Sequence, residues 1–202
     1  DPKLIDAGES LGVVFGTWFP RWREESLTRV AADLISHVCL SRDGSAWSSP
    51  RQLYGVNYWL WQVLPVPGEG FFCAAYHFPQ REDRLQRSVH LLHSDDLLSW
   101  RLIGMIREGG GCGEPVLFQP EPGVLHCIVR AIEPDNHSWL GRSRAPYTEW
   151  TWQDLGVMIH AQVVLDVGDG TWLVAGRSQP QDLPAGTCEP DSGHHTSVWN
   201  LD

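Results

Sequence analysis

The chain has 202 residues, with 25 acidic against 15 basic side chains and a formal net charge of -10, which suffices for one domain with a sizeable core. Its longest apolar runs, such as 34–40 and 59–64, are far shorter than the roughly 20 residues of a membrane-spanning helix. We therefore expect no membrane segment, and no signal peptide is visible. Because no Lys/Arg run is present, we also expect no nucleic-acid partner, and a few local arginines would have to hold any anionic ligand.

Short apolar runs separated by Gly and Pro follow one another along the chain, and none keeps a helical period. Such runs are typical of β-strands. They lie at 11–18, 34–41, 59–64, 71–78, 87–94, 114–119, 124–131, 139–143, 161–167 and 171–178. The sequence therefore predicts an all-β protein, either a sandwich or barrel or a propeller.

An internal repeat favours the propeller. The pattern S-x-D-x-x-x-W occurs at 41–47 and 94–100, a looser version occupies 143–150, and their first serines are 53 and 49 residues apart. This spacing matches one four-stranded propeller blade of about 40–50 residues. Pro/Gly/Asp turns at 7–10, 67–70, 120–123 and 168–170 alternate with these segments as the tips of inner hairpins. We expect the Asp of each Ser-Asp-Trp turn to accept backbone N–H groups, which is a structural role.

These turns, together with segments 58–63, 114–131 and 139–156, resemble those of the sialidase-type Asp-box (BNR-repeat) propellers, in particular the bacterial exo-sialidase-like proteins. The resemblance covers essentially the whole chain and implies a six-bladed ring. At blade length, 202 residues supply about four blades. We therefore expect residues 1–202 to be a single β-propeller domain that is incomplete at both ends.

Residues equidistant from the centre of a hairpin turn face each other in an antiparallel pair. This rule places Glu114 opposite Arg130, His160 opposite Arg177, and Trp61 opposite Tyr76. If these are the innermost hairpins, one mouth of the central channel collects a set of candidate site residues. The set is Asp1, Trp61, Tyr76, Glu114, Arg130, His160 and Arg177.

Paired arginines suit an acidic sugar, because guanidinium groups bind a carboxylate bidentately and stay charged. The resemblance implies that Arg130 and Arg177 bind the carboxylate and that Glu114 is the base for a Tyr nucleophile outside this chain. Asp1 is then the only candidate for the acid/base, and the hairpin pairing places Trp61, Tyr76 and His160 beside the substrate. A simple cross-strand ion pair is the alternative for Glu114 and Arg130.

The function predicted from these observations is a sialidase-like glycoside hydrolase, active as a complete protein, that cleaves a terminal acidic sugar. A non-catalytic carbohydrate-binding propeller is the first alternative, and a hydrolase or lyase acting on another sugar is the second. A glycan is the expected partner. We expect no cofactor or metal, because His90 and His93 would point to opposite faces of a strand. The sequence indicates neither a compartment nor an oligomeric state.

Overall fold

The computed structural model describes residues 2–23, 28–79, 84–178 and 195–201, and it arranges them as four antiparallel β-sheets in a propeller. Within these ranges there is one turn of 3-10 helix, Arg84–Gln86, and no α-helix. No helix in the described residues is long and apolar enough to span a membrane. The all-β propeller prediction is confirmed.

Each sheet is one blade, and its strands follow chain order from the inside outward, with neighbours paired antiparallel. Blade I contains β1 (Lys3–Asp6), β2 (Leu11–Arg23), β3 (Thr28–Ser41) and β4 (Arg51–Gln52). Blade II contains β5 (Tyr58–Val66), β6 (Gly70–His77), β7 (Ser88–Ser94) and β8 (Arg101–Glu108). Blade III contains β9 (Gly113–Glu121), β10 (Val124–Arg130), β11 (Ser138–Arg144) and β12 (Thr151–Asp154). Blade IV contains β13 (His160–Gly168), β14 (Thr171–Ser178) and β15 (His195–Leu201).

Blades II and III are buried on both faces, because their strand residues alternate between two apolar layers. In β6, Phe72, Ala74 and Tyr76 enter the apolar cluster shared with blade III. The intervening Cys73 and Ala75 enter the cluster shared with blade I. A third cluster joins blades III and IV. The near-continuous apolar run of β6 therefore reflects a strand with no solvent-facing side.

Serine hydroxyls join successive blades at the start of their inner strands. The Ser36 hydroxyl donates to the Tyr58 carbonyl at 2.9 Å and accepts the Leu60 N–H at 3.0 Å. Ser138 makes the same double contact with Ile159, both at 2.9 Å. These contacts fix where β5 and β13 begin, and so they position the mouth end of each inner hairpin.

The two S-x-D-x-x-x-W turns have the expected structural role. The Asp43 Oδ1 atom accepts the backbone N–H groups of Ser45 (2.9 Å) and Ala46 (3.0 Å). In the second turn, Asp96 Oδ1 accepts those of Leu98 (2.8 Å) and Ser99 (2.7 Å). The Ser99 N–H, together with the Leu98 N–H and the Ser94 hydroxyl, lowers the pKa of Asp96, because these bonds favour the charged carboxylate.

We expect Asp96→Ala to lower the free energy of unfolding by about 1 kcal/mol, because backbone donors lose a charged acceptor. The pKa of Asp96 is lower in the folded state than in the unfolded state. Its charged form therefore stabilises the fold fully at a pH above the unfolded pKa, and this stabilisation is lost as the pH falls through the folded pKa. The difference in the free energy of unfolding between wild type and variant should therefore have its full size at pH 6 and decrease below about pH 4. Urea titrations at several pH values measure it, and a pH-independent difference would contradict the assignment.

Candidate active site

A β-bulge shapes the start of the inner hairpin of blade III. Arg130 pairs with Gly113 and Ile128 pairs with Val116, so the register shifts by one residue between these pairs. The predicted partner of Arg130, Glu114, is therefore one residue out of register, because it lies inside the bulge. Its φ of 48° is in the left-handed region, which a residue with a Cβ rarely adopts. The bulge re-aims the carboxylate from the strand face toward the mouth of the propeller.

The Glu114 carboxylate is held by two neighbours. Its Oε1 lies 3.1 Å from Arg130 Nη1, with both side chains 13% exposed. Its Oε2 accepts the backbone N–H of Ala161 from blade IV at 2.7 Å. The buried Gln162 side chain donates to the Glu114 carbonyl and, at 3.0 Å, to that of Ile128. Blade IV therefore fixes the position of a carboxylate that blade III supplies.

Glu114 and Arg130 border a cavity of about 170 Å³ where blades I, II and III meet. Its lining combines an aromatic wall with two guanidinium groups and one carboxylate. The lining residues are Trp18, Trp59, Tyr76, Phe78, Arg87, Glu114 and Arg130. Within the wall, Trp59 stacks on Tyr76 at a centroid separation of 5.6 Å, and Trp18 meets Trp59 edge-on at 5.7 Å. The cavity therefore combines aromatic surfaces with a net positive charge.

The Tyr76 phenol is the neutral polar group of this wall. Burial raises the pKa of Tyr76 well above its usual range, and the negative charge of Glu114 raises it further, against the opposing effect of Arg87 and Arg130. Tyr76 therefore keeps its proton at neutral pH. A protonated phenol can donate a hydrogen bond to a ligand oxygen.

The sequence interpretation missed Arg87. This residue follows the 3-10 turn just before β7, and its guanidinium lies 4.6 Å from the centre of the Phe78 ring. The pairing rule considered only inner hairpins, whereas Arg87 precedes a third strand. The sequence did contain a signal: Arg87 is a charged residue at the start of an otherwise apolar run, 87–94, and this run begins at the mouth end of the blade.

The predicted pairing of Trp61 with Tyr76 is wrong. A register shift between Leu60 and Gln62 places Trp59 opposite Tyr76 instead. Trp61 is 4% exposed, and it packs in the core cluster rather than lining the cavity. Pairing by distance from the turn centre fails here because it assumes a hairpin without bulges. Trp59 therefore takes the position that was expected for Trp61.

The predicted pairing of His160 with Arg177 is confirmed. Blade IV repeats the bulge of blade III, and Ala161 has the same φ of 48° as Glu114. Ala161 thus stands where blade III has its carboxylate. The half-buried His160 and the exposed Arg177 lie on the next blade and do not line the cavity. Asp1 lies outside the described residues.

We expect Ala161→Gly to raise the free energy of unfolding by up to about 1 kcal/mol, because glycine adopts a positive φ without the cost of a Cβ. The change keeps the backbone N–H that binds Glu114. Ala161→Val is the matched comparison, since a β-branched residue should lose stability at this φ. Thermal unfolding of the three proteins checks the order, and a glycine variant less stable than the valine variant would contradict it.

No family model matches the sequence, and no curated protein matches it either. Several solved structures, however, are similar to this chain in fold. A protein of unknown function from Dyadobacter fermentans is 18% identical with a TM-score of 0.72, over 88% of this chain and 56% of its own. An α-L-arabinofuranosidase from Lactobacillus brevis is 10% identical with a TM-score of 0.62, over 98% and 71%. An exo-β-1,3-galactanase from Clostridium thermocellum is 12% identical with a TM-score of 0.61, over 100% and 46%.

At these identities the comparisons establish the fold alone, which is a propeller of the kind found in glycoside hydrolases. The chain spans about half the length of the Dyadobacter protein and of the galactanase. The matches do not support the sialidase-type identity within that fold. The residues of the site therefore have to carry any argument about the ligand.

Proposed function

We propose that this propeller is a glycoside hydrolase whose mouth cavity binds the terminal acidic sugar of a glycan. The observation that carries the proposal is the cavity itself. It has room for about one sugar ring, an aromatic wall on which a ring can stack, and two guanidinium groups against one carboxylate. The cavity is positively charged although the chain has a net charge of -10, which favours an anionic ligand at this place.

Arg130 and Arg87 are the proposed carboxylate ligands. Arg130 uses Nη1 for Glu114, and its buried Nε makes no hydrogen bond with any described group. A guanidinium has five N–H donors, so Arg130 can bind Glu114 and a substrate carboxylate together. Arg177 has no acidic partner at the Ala161 position of its own blade, and in this proposal it supplies a third guanidinium from beside the cavity.

Glu114 is the proposed general base, and Tyr76 is a proposed donor to the sugar. Hydrolysis of a glycosidic bond generally uses two acidic groups on opposite sides of the bond. Glu114 is the single carboxylate among the described residues that line the cavity. In the proposal, the remaining catalytic groups, including an acid/base at Asp1 and a Tyr nucleophile, come from outside the described residues.

A non-catalytic carbohydrate-binding propeller is the second candidate. The observation that favours it is the engagement of both oxygens of Glu114, one by Arg130 and one by the Ala161 N–H. A carboxylate with both oxygens engaged is typical of a structural contact and has no oxygen free to accept a proton from a nucleophile. The binder would use the same arginines and the same aromatic wall.

Fluorogenic glycosides of sialic, glucuronic and galacturonic acid, with arabinose and galactose as neutral comparisons, test the proposal. We expect the protein to release sugar from an acidic glycoside, and Arg87→Gln to raise KM at least tenfold for that substrate. Turnover of only the neutral glycosides would contradict the acidic-sugar assignment. No turnover, together with calorimetric binding of a free sugar acid that Arg87→Gln abolishes, would favour the binding module.

A further inference from the structure

Blades III and IV enclose a pocket at the end of their sheets that lies far from the mouth. Its volume is about 220 Å³. One wall is a cross-strand row of blade III, in which His126 pairs with Phe118 on one side and with Arg142 on the other. The opposite wall is formed by Trp172 of blade IV and its strand neighbour Leu201. These five residues therefore border one gap between two facing sheets.

Core packing fixes the base of this inter-blade pocket. One row closer to the mouth, Ile128 and Val174 are fully buried in the cluster that joins the two blades. Phe118 belongs to the same cluster, and its ring centre lies 4.9 Å from that of Trp172 at an angle of 43°. The gap therefore begins where two packed layers separate, and its apolar wall exists before any ligand binds.

Arg142 supplies the charge of the pocket. It is the one charged residue among the described residues of the lining, and its side chain is exposed. Glu121, on the same blade, pairs with Arg144 at 3.4 Å. Asp166, the strand neighbour of Trp172, uses Oδ1 to accept the Gly168 N–H at 2.8 Å and does not line the pocket. The lining thus has a guanidinium group without a carboxylate.

His126 adds a neutral polar group beside this charge. Burial, together with the positive charge of Arg142, lowers the pKa of His126 to about 4, against the opposing effect of Glu121. The imidazole is therefore neutral at neutral pH, with one ring nitrogen that donates and one that accepts. Its ring meets the Phe118 ring edge-on, with centroids 5.1 Å apart. The pocket thus offers one cation and one neutral donor in otherwise apolar surroundings.

We propose that this inter-blade pocket binds a small aromatic carboxylate, with its ring against Phe118 and Trp172 and its carboxylate on Arg142. A guanidinium binds a carboxylate through two parallel hydrogen bonds, and an aromatic ring packs well against other rings and leucine side chains. The volume of about 220 Å³ limits the ligand to about one ring. A sugar suits the pocket less, because its hydroxyls would lose water against Phe118, Leu140 and Leu201.

The inter-blade pocket is separate from the mouth cavity. His126 lines the pocket, whereas Arg130, four residues farther along β10, lines the mouth. Four residues of β-strand span roughly 14 Å. One aromatic acid cannot occupy both places, so this proposal does not rest on the proposed hydrolase activity.

Calorimetric titration of the whole chain with benzoate, phenylacetate and phenylpropanoate tests the proposal. Benzyl alcohol is the comparison that has the ring without the charge, and acetate has the charge without the ring. We expect at least one aromatic acid to bind with a Kd of about 1 mM or lower, and both comparisons to bind about tenfold more weakly. Arg142→Gln should raise the Kd of that acid about tenfold. Because Arg142 is exposed, the fold should persist, and thermal unfolding verifies this.

Arg144→Gln is the matched control, because it removes the same charge two residues along β11 from a side chain outside the pocket. It should change the Kd by less than about twofold, since an exposed charge outside the pocket is screened by salt. The mouth variant Arg87→Gln should leave the Kd unchanged. Trp172→Leu keeps an apolar side chain but removes the ring, so it should raise the Kd about fivefold.

Three results would each overturn the proposal. The first is that none of the three aromatic acids binds with a Kd below about 10 mM. The second is that benzyl alcohol or acetate binds as tightly as the best aromatic acid. The third is that Arg142→Gln has no larger effect than Arg144→Gln, or that Arg87→Gln alone raises the Kd, which would place the aromatic acid in the mouth.

Discussion

Arg130→Ala should lower the free energy of unfolding by about 3 kcal/mol and weaken binding of an acidic sugar about a hundredfold. The stability loss follows because the Glu114 carboxylate, with its side chain 13% exposed, would lose its 3.1 Å partner. The affinity loss follows because a charge-assisted bond in a desolvated cavity is worth several kcal/mol. Urea unfolding and calorimetry with the free sugar acid measure the two effects.

The double variant Glu114→Ala/Arg130→Ala separates these effects. Removing both charges leaves no uncompensated ion, so the double variant should be more stable than Arg130→Ala alone. It should bind the acidic sugar no better than the single variant, because the guanidinium is still absent. A double variant whose stability loss equals the sum of the two single losses would show that the ion pair is not coupled. Arg130→Ala that binds the sugar acid like wild type would remove Arg130 from the site.

Gln162→Ala should lower the free energy of unfolding by about 4 kcal/mol, because it leaves a cavity and two carbonyls without their donor. Gln162 is 2% exposed, and its amide links the carbonyls of Glu114 and Ile128 across the contact between blades III and IV. We also expect lower turnover of the best acidic glycoside, because Glu114 would lose part of its support. Chemical denaturation and steady-state kinetics measure the two effects.

Gln162→Met is the matched control, since methionine restores most of the side-chain volume and none of the hydrogen bonds. Its free energy of unfolding should be about 2 kcal/mol lower than that of wild type, and this difference isolates the contribution of the amide hydrogen bonds. Kinetics should separate a positioning role from a purely structural one, because only the former changes kcat at temperatures where the variant is fully folded. Gln162→Ala with the stability of wild type would contradict the assignment.

The sequence by itself determined the strands, the repeat and the turns. Apolar runs at 71–78 and 124–131 predicted β6 and β10 because residues buried on both faces leave no polar alternation. The roles of Asp43 and Asp96 followed from local spacing, since an Asp side chain reaches backbone N–H groups two or three residues ahead. The pairing of His160 with Arg177 followed from turn arithmetic alone.

Tertiary structure decided which side chains meet at the mouth. The bulges at Trp61 and Glu114 shift the register, and turn arithmetic cannot locate them because contacts with another blade stabilise them. The Glu114 carboxylate is held by the Ala161 N–H, 47 residues away, and Arg87 reaches the cavity from the position just before the third strand of blade II. Local spacing fixes local hydrogen bonds, whereas a site built between blades depends on how whole sheets pack.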